Sequence, residues 1–107
     1  MRSLVLLVSA LALARAATVT VSWGLINVTS NWNPIFINAG DSVTFSLSLD
    51  SMAHTVTSNY VPSSSSFDSG QIVNGGTYTH AFTNKGYYSL KCAYHSGMFA
   101  EVYVGST

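Results

Sequence analysis

The sequence predicts an all-β domain, a β-sandwich of seven to eight strands with Greek-key connections. Three observations carry that expectation. Apolar and polar residues alternate in short runs, turn residues separate most of these runs, and beyond the N-terminal segment no stretch has the length and period of an ordinary helix. At 107 residues the chain suits one domain, and this pattern in that length points to two packed sheets.

Taken in order, the first element is not part of the domain. Met1-Arg2 supplies a positive start, Ser3 to Leu13 is almost wholly apolar, and Ala14-Arg15-Ala16 sets small residues at the last and third-last positions before a cut. This is the pattern of a secretory signal peptide cleaved after Ala16, and its apolar run falls short of the roughly 20 residues that span a bilayer. Residues 1–16 are therefore expected to be a leader and 17–107 a mature domain. That domain is expected to be exported to a periplasmic, lumenal or extracellular space and not inserted in a membrane.

The mature chain then alternates. Thr18 to Trp23 sets Val19, Val21 and Trp23 in one phase, and Ile35 to Ile37 is a short run closed by the turn Asn38-Ala39-Gly40-Asp41. Ser42 to Leu49 alternates strictly through Val43, Phe45, Leu47 and Leu49. His54 to Ser58 is a further β-prone piece, whereas Pro62 and the serines at 63–66 mark a loop. After the turn Asn74-Gly75-Gly76, Thr77 to Phe82 puts Tyr78, His80 and Phe82 together. The tight turn Asn84-Lys85-Gly86 leads into Tyr87 to Cys92, with Tyr88, Leu90 and Cys92 in phase, and Phe99 to Val104 is the last strand.

Charge excludes some functions. The mature chain carries Lys85 and Lys91 against Asp41, Asp50, Asp68 and Glu101, a sparse and slightly acidic set. It lacks the basic patch that nucleic acid requires, and long-range steering of a charged partner is expected to be modest. The one cysteine, Cys92, rules out an intrachain disulfide. An odd cysteine in an exported protein calls for intermolecular pairing, a free thiol or ligation to a metal.

The segment Lys91-Cys92-Ala93-Tyr94-His95-Ser96-Gly97-Met98-Phe99 favours the metal. It brings a thiolate, an imidazole and a thioether within seven residues on a loop between the last two strands. Thiolate and thioether stabilise Cu(I), while imidazole serves both oxidation states. His54, upstream on a separate β segment, is the natural fourth ligand. Two histidines and one cysteine in a plane with a weak axial methionine form the arrangement of blue-copper electron-transfer sites. Singly, a buried cysteine is usually a small hydrophobe and a methionine core filler. Together, at this spacing, His54, Cys92, His95 and Met98 are expected to bind one copper ion.

Four further pieces carry a family resemblance: Asn38-Ala39-Gly40-Asp41-Ser42-Val43-Thr44-Phe45, Asp50-Ser51-Met52-Ala53-His54-Thr55-Val56, Phe67-Asp68-Ser69-Gly70 and Gly86-Tyr87-Tyr88-Ser89-Leu90-Lys91-Cys92. Through them the sequence resembles the cupredoxins, the blue-copper family, over essentially the whole mature chain. The Cys92-x-x-His95-x-x-Met98 spacing looks like that of the amicyanins, whose ligand loop is shorter than that of the plastocyanins or azurins, and Met52 is similar as well. The resemblance implies the same four ligands, a Greek-key β-sandwich and single-electron transfer between protein partners.

This chain departs from the family at places. Relatives commonly carry proline before each ligating histidine and asparagine after the first, where this sequence has Ala53, Tyr94 and Thr55. The Thr55 hydroxyl is expected to hydrogen-bond across to the ligand loop. In plastocyanins an aromatic residue precedes the cysteine, but here that position is Lys91. His80 shares a phase with Tyr78 and Phe82 and reads as structural. Asn27-Val28-Thr29 is an N-glycosylation sequon.

The expected function is a one-electron carrier between redox partner proteins, monomeric, docking transiently near His95 with Tyr94, Phe99 and Pro34 around it. The alternative is a copper carrier or scavenger using the same ligands. An enzyme is not expected: an oxidase needs a larger histidine set or a second cysteine, and no Ser/His/Asp set stands out.

Overall fold

The computed structural model describes residues 15–25, 34–48, 50–62 and 66–106. Most of the leader (1–14), the Asn27 sequon and Leu49 lie outside the described residues.

Among the described residues seven strands are formed: β1 (Thr18–Ser22), β2 (Ile35–Asn38), β3 (Ser42–Ser46), β4 (Thr57–Tyr60), β5 (Thr77–Ala81), β6 (Gly86–Lys91) and β7 (Phe99–Gly105). They make two sheets, β1-β3-β5 and β2-β7-β6-β4. The sandwich is mixed: β1 pairs parallel with β3 and β2 parallel with β7, while the other pairs are antiparallel. Every connection from β1 through β6 crosses between sheets, and only β6 and β7 follow one another within a sheet. The loop joining that hairpin is the Cys92–Met98 segment.

Alternation builds the core. Val43 and Phe45 of β3, Leu90 of β6 and Val102 of β7 are fully buried, while their neighbours in each strand point outward. Each such side chain contributes roughly 1.5–3 kcal/mol relative to leaving it in water. Trp23, just past β1, is 1 % exposed and meets Phe45 edge-on, with ring centroids 5.6 Å apart. Val19 keeps its phase but stays exposed, because β1 is an edge strand. On the outer face of the larger sheet each strand contributes one ring to a row. Phe36 lies 5.2 Å from Tyr103, Tyr103 5.1 Å from Tyr87, and Tyr87 5.9 Å from Tyr60.

The expected turn after β2 forms, with the Asp41 N–H donating to the Asn38 carbonyl at 2.9 Å and Gly40 at φ +99°. A positive φ at the third position is what a type II turn requires and what glycine supplies. Two expected runs are shorter or displaced. The run from Ser42 ends as a strand at Ser46, because the Leu47 N–H and C=O turn to Gly76 and Gly75 instead of the ladder. The His54 run becomes a strand only at Thr57. Before it, the Thr55 N–H faces the Cys92 sulfur and the Val56 N–H donates to Ser69 Oγ, so neither is free to pair with a neighbouring strand. Among the described residues no helix is long and apolar enough to cross a membrane.

Candidate metal centre

Local structure brings the ligand candidates together from two directions. Cys92 directly follows β6 and Met98 directly precedes β7, and the Cys92 N–H donates to the Met98 carbonyl at 3.0 Å across the neck of the loop. Gly97 sits at φ +86° with open space where a Cβ would point, so the return is one that glycine makes without strain. His54 arrives from the other side. It exchanges two backbone hydrogen bonds with Ile72, at 3.0 and 2.8 Å, in an isolated antiparallel bridge.

The three side chains converge on one point. His54 Nδ1 lies 3.2 Å from His95 Nδ1, and Cys92 Sγ lies 3.8 and 3.6 Å from those two nitrogens. A triangle with these sides has a circumradius of about 2.1 Å, close to the roughly 2.0–2.3 Å of nitrogen and sulfur bonds to a metal such as zinc. The donor set therefore fits a three-coordinate plane of two imidazoles and a thiolate. Cys92 and His54 are buried at 4 % and 1 % exposure, whereas His95 is half-buried. Met98 is buried at the base of the loop, where its carbonyl accepts the Cys92 N–H.

Cys92 Sγ accepts weak hydrogen bonds from the Thr55 and Tyr94 N–H groups, each at 3.4 Å. Thr55 does more than the sequence suggested. Its hydroxyl accepts the Ala93 N–H at 2.8 Å, as expected, and its carbonyl accepts the buried Trp23 indole N–H at 2.9 Å. The Thr57 hydroxyl donates to Asp68 at 3.2 Å and stands 2.8 Å from that of Thr55. Directionality then runs from the ligand loop through two hydroxyls to a surface carboxylate.

Asp50 is the residue that the sequence reading missed. Its carboxylate meets His54 Nε2 at 2.9 and 3.1 Å and also accepts the Met52 and Leu25 N–H groups at 2.9 and 2.8 Å. Burial pushes this carboxyl up, but the two backbone donors and His54 outweigh it and hold it below the usual carboxylate range. An acceptor at Nε2 keeps the imidazole proton there and leaves the Nδ1 lone pair facing Cys92 and His95. The available signal was the acid four residues before a candidate ligand, in a sequence prone to an Asx turn.

The other singled-out residues fall where expected or lie apart. His80 stacks on Phe67 with centroids 3.7 Å apart, and burial lowers its pKa. Lys91 is exposed at the end of β6. Tyr94 is half exposed, its hydroxyl donates to Gln71 at 3.2 Å, and its ring lies 6.5 Å from that of His95.

No protein-family model and no curated protein matches the chain. Solved structures do match. A methionine-to-glutamine variant of amicyanin with Cu(I) superposes with a TM-score of 0.66, at 20 % identity over 81 % of each chain. A reduced tryptophan-to-tyrosine variant and an oxidised proline-to-alanine variant of amicyanin each give 0.62, at 22 % identity over 83 % of this chain and 81 % of theirs. Seven strands in two sheets, superposable on these structures, make this a cupredoxin fold, and its His54–Cys92–His95 group fits a blue-copper site.

Proposed function

We propose that the chain is an exported type 1 copper protein that carries single electrons between partner proteins. The observation that carries this reading is the convergence of two Nδ1 atoms and one Sγ on a point about 2.1 Å from each. His54, Cys92 and His95 would hold the ion, with Met98 as a weaker fourth ligand. Bound copper supplies one-electron exchange between Cu(II) and Cu(I). The chain's own residues supply rigidity. Asp50 fixes the His54 ring, and Thr55 ties the first ligand's segment to the second's through Ala93 and the Cys92 sulfur. A site locked in this way changes little between oxidation states, which keeps electron transfer fast.

Half-buried His95 is the port in this reading, with Tyr94, Phe99 and Pro34 forming a sparsely charged rim suited to weak, transient docking of redox partners. The protein acts as a monomer and is not an enzyme. The leader reading of residues 1–16 places it in an exported compartment.

The test is to purify residues 17–107, add one equivalent of Cu(II) and record the visible spectrum. An intense thiolate-to-copper charge-transfer band is expected, and it should vanish in Cys92→Ala. A colourless 1:1 mixture sinks the proposal. A second reading, a copper carrier or scavenger, uses the same ligands and the access that half-buried His95 offers to solvent. Copper lost to a chelator within minutes favours cargo, and copper retained through repeated redox cycles favours the shuttle.

A further inference from the structure

We propose that Asp41 is a receptor for the N-terminal ammonium of the processed chain, with Ala17 as its first residue. Two independent observations meet at Ala17. The sequence places small residues at Ala14 and Ala16, the positions a signal peptidase reads, and so puts the cut between Ala16 and Ala17. Among the described residues, Ala17 is the first anchored to the domain. Its N–H donates to Asp41 Oδ1 at 2.9 Å, and its carbonyl accepts the Ser42 N–H at 2.9 Å. From there the chain runs directly into β1, whose Thr18 is paired with Ser42. Arg15 and Ala16 are exposed and, among the described residues, make no hydrogen bond or ion pair.

Asp41 itself has the character of an incomplete pair. Its side chain is only 9 % exposed, its other oxygen accepts the Asn38 N–H at 2.9 Å, and no cation faces it among the described residues. Both backbone donors, Ala17 first, hold its carboxyl below the usual range, so it is charged at neutral pH. Hydrolysis by a signal peptidase breaks the Ala16–Ala17 amide. Water's hydroxyl goes to the Ala16 carbonyl, its hydrogen goes to the Ala17 nitrogen, and a solvent proton completes the ammonium. The neutral donor already seated on Asp41 becomes a cation at the same place, and the hydrogen bond becomes an ion pair. Removal of the leader would then complete an interaction at the junction of β1 and β3, in addition to freeing the chain. This inference does not depend on copper.

The experiment uses the protein secreted from its full-length precursor. N-terminal sequencing and intact mass should show Ala17 as the first residue, and a start at any other residue overturns the proposal. The α-amine of the secreted protein is then labelled by reductive methylation, which keeps its charge, and titrated by NMR in wild type and Asp41→Asn. In wild type its pKa should lie above the ordinary 7.7–8.0 by about half a unit, roughly threefold in proton affinity, and Asp41→Asn should return it to that range. Equal values in the two proteins overturn the proposal. If Asp41→Asn is not secreted, the wild-type titration alone decides, and a value within the ordinary range overturns it.

Discussion

Asp50 separates charge from geometry at the site. In Asp50→Asn the remaining oxygen can still accept from Met52 N–H and His54 Nε2, while the negative charge and the acceptor for Leu25 N–H are lost. A carboxylate one imidazole away from the ion stabilises Cu(II) more than Cu(I), so the midpoint potential of the copper-loaded protein should rise, by about 59 mV for each tenfold difference in affinity between the two states. Asp50→Ala should in addition weaken Cu(II) binding about 10–100-fold. Voltammetry and competitive titration read both effects, and a potential unmoved in either variant would leave Asp50 as a loop clamp only. Thr55→Val keeps the shape but strands the Ala93 N–H, and should cost about 1–2 kcal/mol in urea unfolding with an unchanged slope. At this scale the sequence was informative where chemistry is rare: a lone cysteine within three residues of a histidine and six of a methionine. Asp50 and the Trp23–Thr55 bond were hidden because each joins segments whose meeting only the fold decides.

Gly86 marks where one element's start depends on a distant loop. It opens β6 at φ +138°, and a Cβ there would stand 2.7 and 2.8 Å from Pro62 Cγ and Cβ. Asn84-Lys85-Gly86 is further clamped by Tyr88, whose hydroxyl donates to the Asn84 carbonyl at 2.7 Å. Gly86→Ala should therefore destabilise by about 1–3 kcal/mol through combined strain and overpacking, read as a lowered thermal midpoint. Proline's ring cannot swing aside as a flexible side chain would. The turn itself was readable from Asn-Lys-Gly between two alternating runs, but its contact with Pro62 was not. The same contrast holds for the strands. Period-two alternation located most of them, since it reflects which face is buried. It could not reveal that β1 lies parallel to β3 or β2 to β7, because pairing partners leave no mark in local pattern. It also could not place the start of β4, because the Thr55 and Val56 donors are committed to a sulfur and a serine.

Across the whole molecule, stability should depend on pH through a residue remote from the ligand triangle. His80 of β5 lies between Phe67, stacked at 3.7 Å, and Phe82, edge-on at 4.8 Å, with Tyr78 Oη 3.4 Å from its Nδ1. Burial lowers its pKa from the ordinary 6.5, since this aromatic nest disfavours the imidazolium. Above pH 6.5 the ring is neutral in both folded and unfolded chains, and its packing stabilises the fold in full. As pH falls through 6.5 the unfolded chain takes up a proton that the folded chain resists, so stability declines until the folded pKa is passed and then levels off. The depressed carboxyls of Asp41 and Asp50 add losses only at and below about pH 3.8, well separated from this window. The measurement is a difference between two proteins, so that contributions common to both drop out. His80→Phe keeps an aromatic ring in the stack and carries no charge at any pH, and subtracting its unfolding free energy from that of wild type isolates the contribution of His80. The wild type should lose ground to His80→Phe between pH 7 and 5. Parallel curves over that range would mean that His80 is solvated well enough to charge freely, and that the Phe67 stack does not seal this edge of the sandwich.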